Sequence, residues 1–205
     1  MSRRRVSPTC LGRPRFGIRV MKTENKRSRR NHPPKTGLLE WLERDEARSR
    51  KSRAVRLEFL IKEYGGGSYR VFYSEIAALA FEEARQAYLH GLFVACTTVC
   101  QVCVEQLISR FFRAAGRNDL DRAPYQQILV EARSKKVLSE SEFVTFDKLR
   151  EHRNPYVHSR SPLSKSTLAR RAVDSNALVE HILERDARTA IRALLRLCQR
   201  APFAV

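Results

Sequence analysis

Three features of the sequence predict an all-α fold. Apolar residues recur at helical spacing in several segments, and no stretch alternates apolar and polar residues as a half-buried strand does. Eight Gly and eight Pro in 205 residues are too few for a turn-rich all-β chain. A candidate helix opens on a Ser-x-x-Glu capping box, Ser139 to Glu142. The expected architecture is an up-and-down bundle of four to five mostly antiparallel helices, with a disordered basic N-terminal arm.

The arm covers residues 1–37. It carries Arg3-Arg4-Arg5, Arg29-Arg30 and Pro33-Pro34, with little apolar character and a first acid only at Glu24. Such a segment buries too little apolar surface to offset the entropy of ordering it. A second segment, 38–67, begins at Thr36-Gly-Leu-Leu-Glu40, where Thr36 is a suitable N-cap and Glu40 lies in the first turn of a helix with Leu38, Leu39 and Leu42. From Glu43 to Arg53 the only apolar residue is Ala47, so this stretch reads as a solvated helix or a break. Apolar residues return from Val55 to Ile61, and Gly65-Gly66-Gly67 forms a flexible joint.

The main domain is expected over 68–205. Ser74 is a suitable N-cap for a helix with Ile76, Leu79, Ala80, Ala84, Ala87 and Tyr88 on one stripe. Gly91 marks a turn or a close helix contact. A long helix follows from about Leu92 to Ala115, its stripe read as Ala95, Val99, Val102, Gln106, Leu107 and Phe111, with Cys96, Cys100 and Cys103 alongside. Gly116 is a natural stop. Pro124 opens a third helix with Ile128, Leu129 and Ala132. Ser139-Glu-Ser-Glu142 is a capping box for a fourth, with Leu138 placed to staple against Phe143. That helix runs through Leu149 and ends or kinks at Pro155, which cannot make the bond four residues back. Residues 160–176 read as a polar loop, and a last helix spans about Ala177 to Cys198.

The net charge is +18. Residues 1–56 hold 18 Lys+Arg against 5 Asp+Glu, and residues 57–205 hold 22 against 17. The basicity therefore belongs mainly to the arm and first segment. A basic arm suits an anionic partner, with nucleic acid the default. The competing readings are an organelle-targeting sequence, an extension set by start-codon choice (Met21 is the only other Met), and an inert solvated tail.

No run approaches the ~18 apolar residues of a membrane span, and no apolar segment follows Met1, so neither a membrane span nor a secretory leader is expected. Five cysteines, three of them clustered, do not suggest a disulfide framework, and a reducing cytoplasmic compartment fits them.

Cys96-x3-Cys100-x2-Cys103 matches an iron–sulfur spacing, but on a helix the three thiols fall at i, i+4 and i+7 of one face. They span about 10 Å along it, poor geometry for one small cluster. Core packing is the expected role, and no metal or other cofactor is expected.

The sharper constellation is Arg153-Asn154-Pro155-Tyr156-Val157-His158. Arg offers a permanent forked cation to a phosphoryl oxygen, and His can move a proton near neutral pH. Arg-x4-His occurs three times. Requiring Asn directly after the Arg leaves only Arg153–His158, with a chance expectation of about 0.02. The competing structural reading is that both cations simply occupy a helix end, where positive charge is favoured.

Over roughly residues 74–200 the chain resembles the HEPN superfamily. Ala84-x2-Ala87-Tyr88-x2-Gly91, followed by a long helix with Glu105 and Leu107, is similar to that clan's first helical pair. Leu149-Arg150-x2-Arg153-Asn154-x3-His158 resembles its signature. Glu184-x-Asp186-Ala187-x2-Ala190-Ile191 resembles its closing helix. The similarity is greatest to small, poorly characterised branches. It implies a metal-independent endoribonuclease, acting as a homodimer that brings two Arg/His pairs into one cleft. On that basis His158 transfers protons, Arg153 holds the scissile phosphate, Asn154 orients His158 or the phosphate, and Arg150 widens the phosphate site. His152 is expected to be solvated.

The implied partners are RNA, a second copy, and an antitoxin or regulatory protein of a toxin or defence system. The alternative reading is a non-catalytic helical module for dimerisation or for nucleotide or RNA binding. A helical DNA-binding regulator rests on charge alone, since no helix-turn-helix with a basic recognition helix stands out. The chain departs from the family pattern at Pro155, inside the motif. It also departs at Ser159-Arg160, where one toxin branch has a Tyr two residues after the His.

Overall fold

A computed structural model describes residues 37–65, 75–120, 122–158 and 164–199. The expected arm, the Thr36 cap and the Ser74 cap lie outside the described residues. The chain divides into two units, Met1–Glu43 and Arg44–Val205. In the first, residues 37–43 are described, and they form the opening turns of a helix with Leu38, Leu39, Trp41 and Leu42 exposed.

Seven α-helices are described: α1 (Leu38–Tyr64), α2 (Glu75–Leu89), α3 (Phe93–Ala114), α4 (Tyr125–Ser134), α5 (Glu140–Val157), α6 (Leu168–Ser175) and α7 (Val179–Cys198), with a short 3₁₀ turn at Asn118–Leu120. No strand occurs among the described residues. The all-α class holds, but the helix count exceeds the four to five expected. One reason is α6, which stands where a polar loop was read. Thr167 caps it, Asn176 ends it in the left-handed conformation, and no residue of the helix is fully buried. Its apolar residues, Leu168, Ala169, Ala172 and Val173, do recur at helical spacing, but over only eight residues within a polar stretch. The stretch from Glu43 to Arg53 is continuous helix within α1 rather than a break.

The core is built around α3. α2 turns back onto it through His90-Gly91-Leu92, where Gly91 has φ +76°. A Cβ at Gly91 would also lie 3.0 Å from the Arg56 guanidinium, which donates to the Leu89 carbonyl at 2.9 Å. α2 buries Ala77, Ala80, Phe81, Ala84, Ala87 and Tyr88. Its four buried alanines allow the backbones close approach, and the Cys103 thiol on α3 reaches the Ala77 carbonyl at 3.2 Å. The expected α2 stripe was partly misplaced, since Ile76 and Leu79 are exposed.

The α3 stripe also differs from expectation. Cys96, Cys100, Cys103, Leu107 and Ile108 are buried, whereas Ala95 and Val102 are exposed. The buried face is therefore rotated by one residue, about 100° of helix, and the cysteines form it. α7 packs along α3 with Ile191, Leu194 and Leu195 fully buried, and α4 and α5 close the other side with Ile128, Leu129 and Phe146.

The start of α5 follows the sequence reading. The Ser139 side chain accepts from the Glu142 amide, and the Glu142 carboxylate accepts from the Ser139 amide at 2.7 Å. Leu138 is buried, and Phe143 packs half-buried against the same core. The capping box thus sets the axis of the helix that carries the motif.

Candidate functional site

The hexapeptide 153–158 lies at the C-terminal end of α5. Pro155 sits inside the helix, which continues only to Val157. Its missing N–H costs the bond to the Glu151 carbonyl, and the helix ends two residues later. His158 is the C-cap, with φ −129° and ψ 134°, and its amide donates to the Asn154 carbonyl at 2.9 Å. Asn154 and His158 are therefore not four apart on one continuing helix. The four-residue link is a backbone bond, and the exposed His158 side chain leaves from extended backbone.

Arg153 and Asn154 are half-buried. The Arg153 Nε is buried with no hydrogen-bond partner among the described residues. Its charged neighbour is Glu105 on α3. Burial raises the Glu105 carboxyl above its ordinary range, and Arg153 partly offsets this. Tyr125 on α4 lies in the same neighbourhood. Burial pushes its hydroxyl up, Glu105 adds to this, and Arg153 and Arg150 oppose it. Arg150 is already engaged: its Nε donates to the Asp147 Oδ1 at 2.8 Å, and the pair is largely shielded from solvent. The phosphate contact expected of Arg150 would therefore compete with an intact ion pair.

The sequence reading missed a polar network on the α7 side of α5. Asp186 on α7 is 4 % exposed. Its Oδ2 accepts from the Arg171 Nη1 at 2.7 Å and from the Tyr156 hydroxyl at 3.0 Å, and its Oδ1 accepts from the Arg171 Nη2 at 2.7 Å. The His152 Nδ1 lies 3.5 Å from Oδ1, within ion-pair range. His152 is thus not solvated as expected; it is half-buried against a carboxylate. Burial works against the Asp186 charge, but His152 and Arg171 outweigh it and hold the carboxyl down to about 2. Burial, then the Asp186 charge, pushes the Tyr156 hydroxyl up.

The one available signal was Asp186 itself, a carboxylate on the apolar face between Ile182 and Ala190. A buried charge requires a partner, but sequence spacing does not say that Arg171, 15 residues earlier, supplies it.

The two sets diverge because a helix turns about 100° per residue. Arg153 is near α3 and α4, and its neighbour His152 meets α7. The arrangement on the Arg153 side offers a half-buried cation to an anion, with the exposed His158 at the helix end. The arrangement on the Asp186 side fixes an imidazole and docks α6.

The cysteines belong to the core. Cys96, Cys100, Cys103 and Cys198 are free and buried. Burial raises the Cys103 thiol, and pushes that of Cys198 up to about 12. Among the described residues, no group of three His, Cys, Asp or Glu side chains is placed to hold a metal ion. Nor is any described helix long and apolar enough to cross a membrane. Comparison of the chain with protein-family models, with curated proteins and with solved structures finds no match.

Proposed function

We propose that the chain is an RNA-directed protein of HEPN type, a metal-independent endoribonuclease that cuts RNA with Arg153 and His158. The observation that carries this reading is the state of the arginines around α5. Arg150 is paired with Asp147 and Arg171 with Asp186, whereas the Arg153 guanidinium makes no hydrogen bond among the described residues. A half-buried cation left without a bonded partner is suited to an external anion. The exposed imidazole of His158 follows it at the helix end.

In the proposed reaction the RNA 2′-oxygen attacks the adjacent phosphorus, with His158 accepting the 2′-proton. The bond from phosphorus to the 5′-oxygen breaks, leaving a 2′,3′-cyclic phosphate and a 5′-hydroxyl, and the leaving oxygen takes up a proton. Arg153 stabilises charge on the phosphoryl oxygens. In a homodimer, two such pairs share one cleft, and the imidazole of the second chain protonates the leaving oxygen. General acid–base help of this kind is worth about 10²–10⁴-fold.

The alternative, a non-catalytic dimerisation or RNA-binding module, draws on one observation. His158 lies beyond the regular helix, so helix geometry does not fix it against Arg153. The test is cleavage of single-stranded RNA in EDTA by the full chain, its His158→Ala variant and its Arg153→Ala variant. Loss of at least about a hundredfold in each supports the nuclease. Cleavage by both variants at the wild-type rate overturns it, and RNA binding without cleavage selects the module.

A further inference from the structure

The opening turns of α1 leave four large apolar side chains in water. Leu38, Leu39, Trp41 and Leu42 are each between 44 and 77 % exposed. At about 100° per residue they fall within one arc of roughly 160°, with Trp41 at one edge and Leu39 at the other. Glu40 and Glu43 lie outside that arc, so the segment is two-faced. A contiguous patch of one Trp and three Leu marks a surface for a partner. Asp45 and Glu46 return to the arc one turn later, so the patch is short.

The adjoining sequence says which partner fits. Residues 1–37 hold 12 Lys+Arg against one acid, Glu24, and six of those cations fall between Lys22 and Lys35. An anionic bilayer offers both halves of the matching chemistry. Its headgroups suit the cations, its acyl boundary suits the leucines, and an indole settles at the level between them. RNA supplies the charge but no apolar layer for three leucines. A short apolar patch alone gives marginal membrane binding, and a polybasic segment is the second signal that makes it stable. No described helix is long and apolar enough to cross a membrane, and an anchor of this kind lies in the interface without crossing it.

We propose that residues 1–43 attach the chain to the surface of an anionic lipid bilayer. Leu38, Leu39, Trp41 and Leu42 enter the acyl boundary, and the Lys and Arg side chains of 1–37 pair with headgroups. The attachment does not involve Arg153 or His158, so it stands whether or not the protein cleaves RNA.

Trp41 is the only Trp in the chain, so the intrinsic fluorescence of the full chain reads this turn alone. The probes are vesicles of phosphatidylcholine, with and without about a third phosphatidylserine. Anionic vesicles should shift the Trp41 emission to the blue, brominated lipid in them should quench it, and added salt should weaken the attachment. Pure phosphatidylcholine should do neither. Leu38 and Leu42 are exposed, so the Leu38→Ser/Leu42→Ser double variant keeps the fold, as circular dichroism will verify. Its affinity for anionic vesicles should fall at least about tenfold. An unstructured oligoribonucleotide should not distinguish wild type from the double variant. Trp41 emission unmoved by anionic vesicles overturns the proposal, as does equal vesicle affinity of the two proteins. RNA binding that shifts Trp41 and is lost in the double variant assigns the patch to RNA and also overturns it.

Discussion

Asp186→Asn tests the network that joins α5, α6 and α7. Arg171 and Asp186 have side chains 10 % and 5 % exposed, so solvent screens their pairing little. The Asp186 carboxyl is held at about 2, against about 3.9 in an unfolded chain, which contributes about 2–3 kcal/mol at neutral pH. Asn keeps the shape but removes the charge, leaving the Arg171 guanidinium without its anion. The expected cost is about 3 kcal/mol at pH 7, at the lower end for breaking a buried pair.

The sign with pH follows from the depressed value. The stabilisation is full above about pH 4 and is lost as pH falls through about 2. Between pH 5 and pH 3 the gap between wild type and variant should therefore shrink by about 1 kcal/mol. Urea unfolding at those pH values reads the gap, and carboxylates common to both proteins cancel. Hydrogen exchange supplies a local readout. α6 has no fully buried residue and is tied to α7 through Arg171, so its amides should lose protection first. A gap below about 1 kcal/mol at pH 7, or one that does not change with pH, would refute the reasoning.

Two further predictions concern the scaffold. Ser139→Ala removes the side-chain half of the α5 capping box and should cost about 1 kcal/mol in urea unfolding; no change would mean the box does not hold that helix start. Cys96, Cys100, Cys103 and Cys198 should resist a thiol reagent in the native protein and react on unfolding, since all four are buried and burial disfavours the thiolate. Fast labelling of any of them in native buffer would show that the α3 core opens.

The parts of the fold legible in the sequence were those written in local code. The Ser139 box, the stop at Gly116 and the apolar face of α7 each depend on residues within a few positions of one another. The α3 face was misplaced because the stripe was drawn through Ala95, Val99 and Val102, with the cysteines set alongside it. Counted as apolar, positions 96, 100, 103 and 107 make an unbroken helical stripe. α6 was passed over for a different reason. Its apolar residues Leu168, Ala169, Ala172 and Val173 do recur at helical spacing, but over eight residues only, and the ion pair that docks it to α7 is not encoded locally. Of the candidate site, Arg153 and His158 were found by motif, whereas His152 was set aside because its partner Asp186 lies 34 positions away.

The placement of His152 beside Arg153 in the chain hides a division that bears on every functional test. A motif reading treats 150–158 as one patch, but Arg150 and Arg153 meet the α3–α4 side, where Glu105, Tyr125 and Asp147 set the electrostatics. His152 and Tyr156 meet α7, where Asp186 and Arg171 do. A substitution at Arg153 changes charge on one side of α5, and one at Lys148 or Arg185 changes it on the other. A substitution at Arg153 therefore leaves the Asp186 network intact even though the residues overlap in sequence. A substitution at His152 does not leave it intact, because it removes one of the groups that hold the Asp186 carboxylate charged.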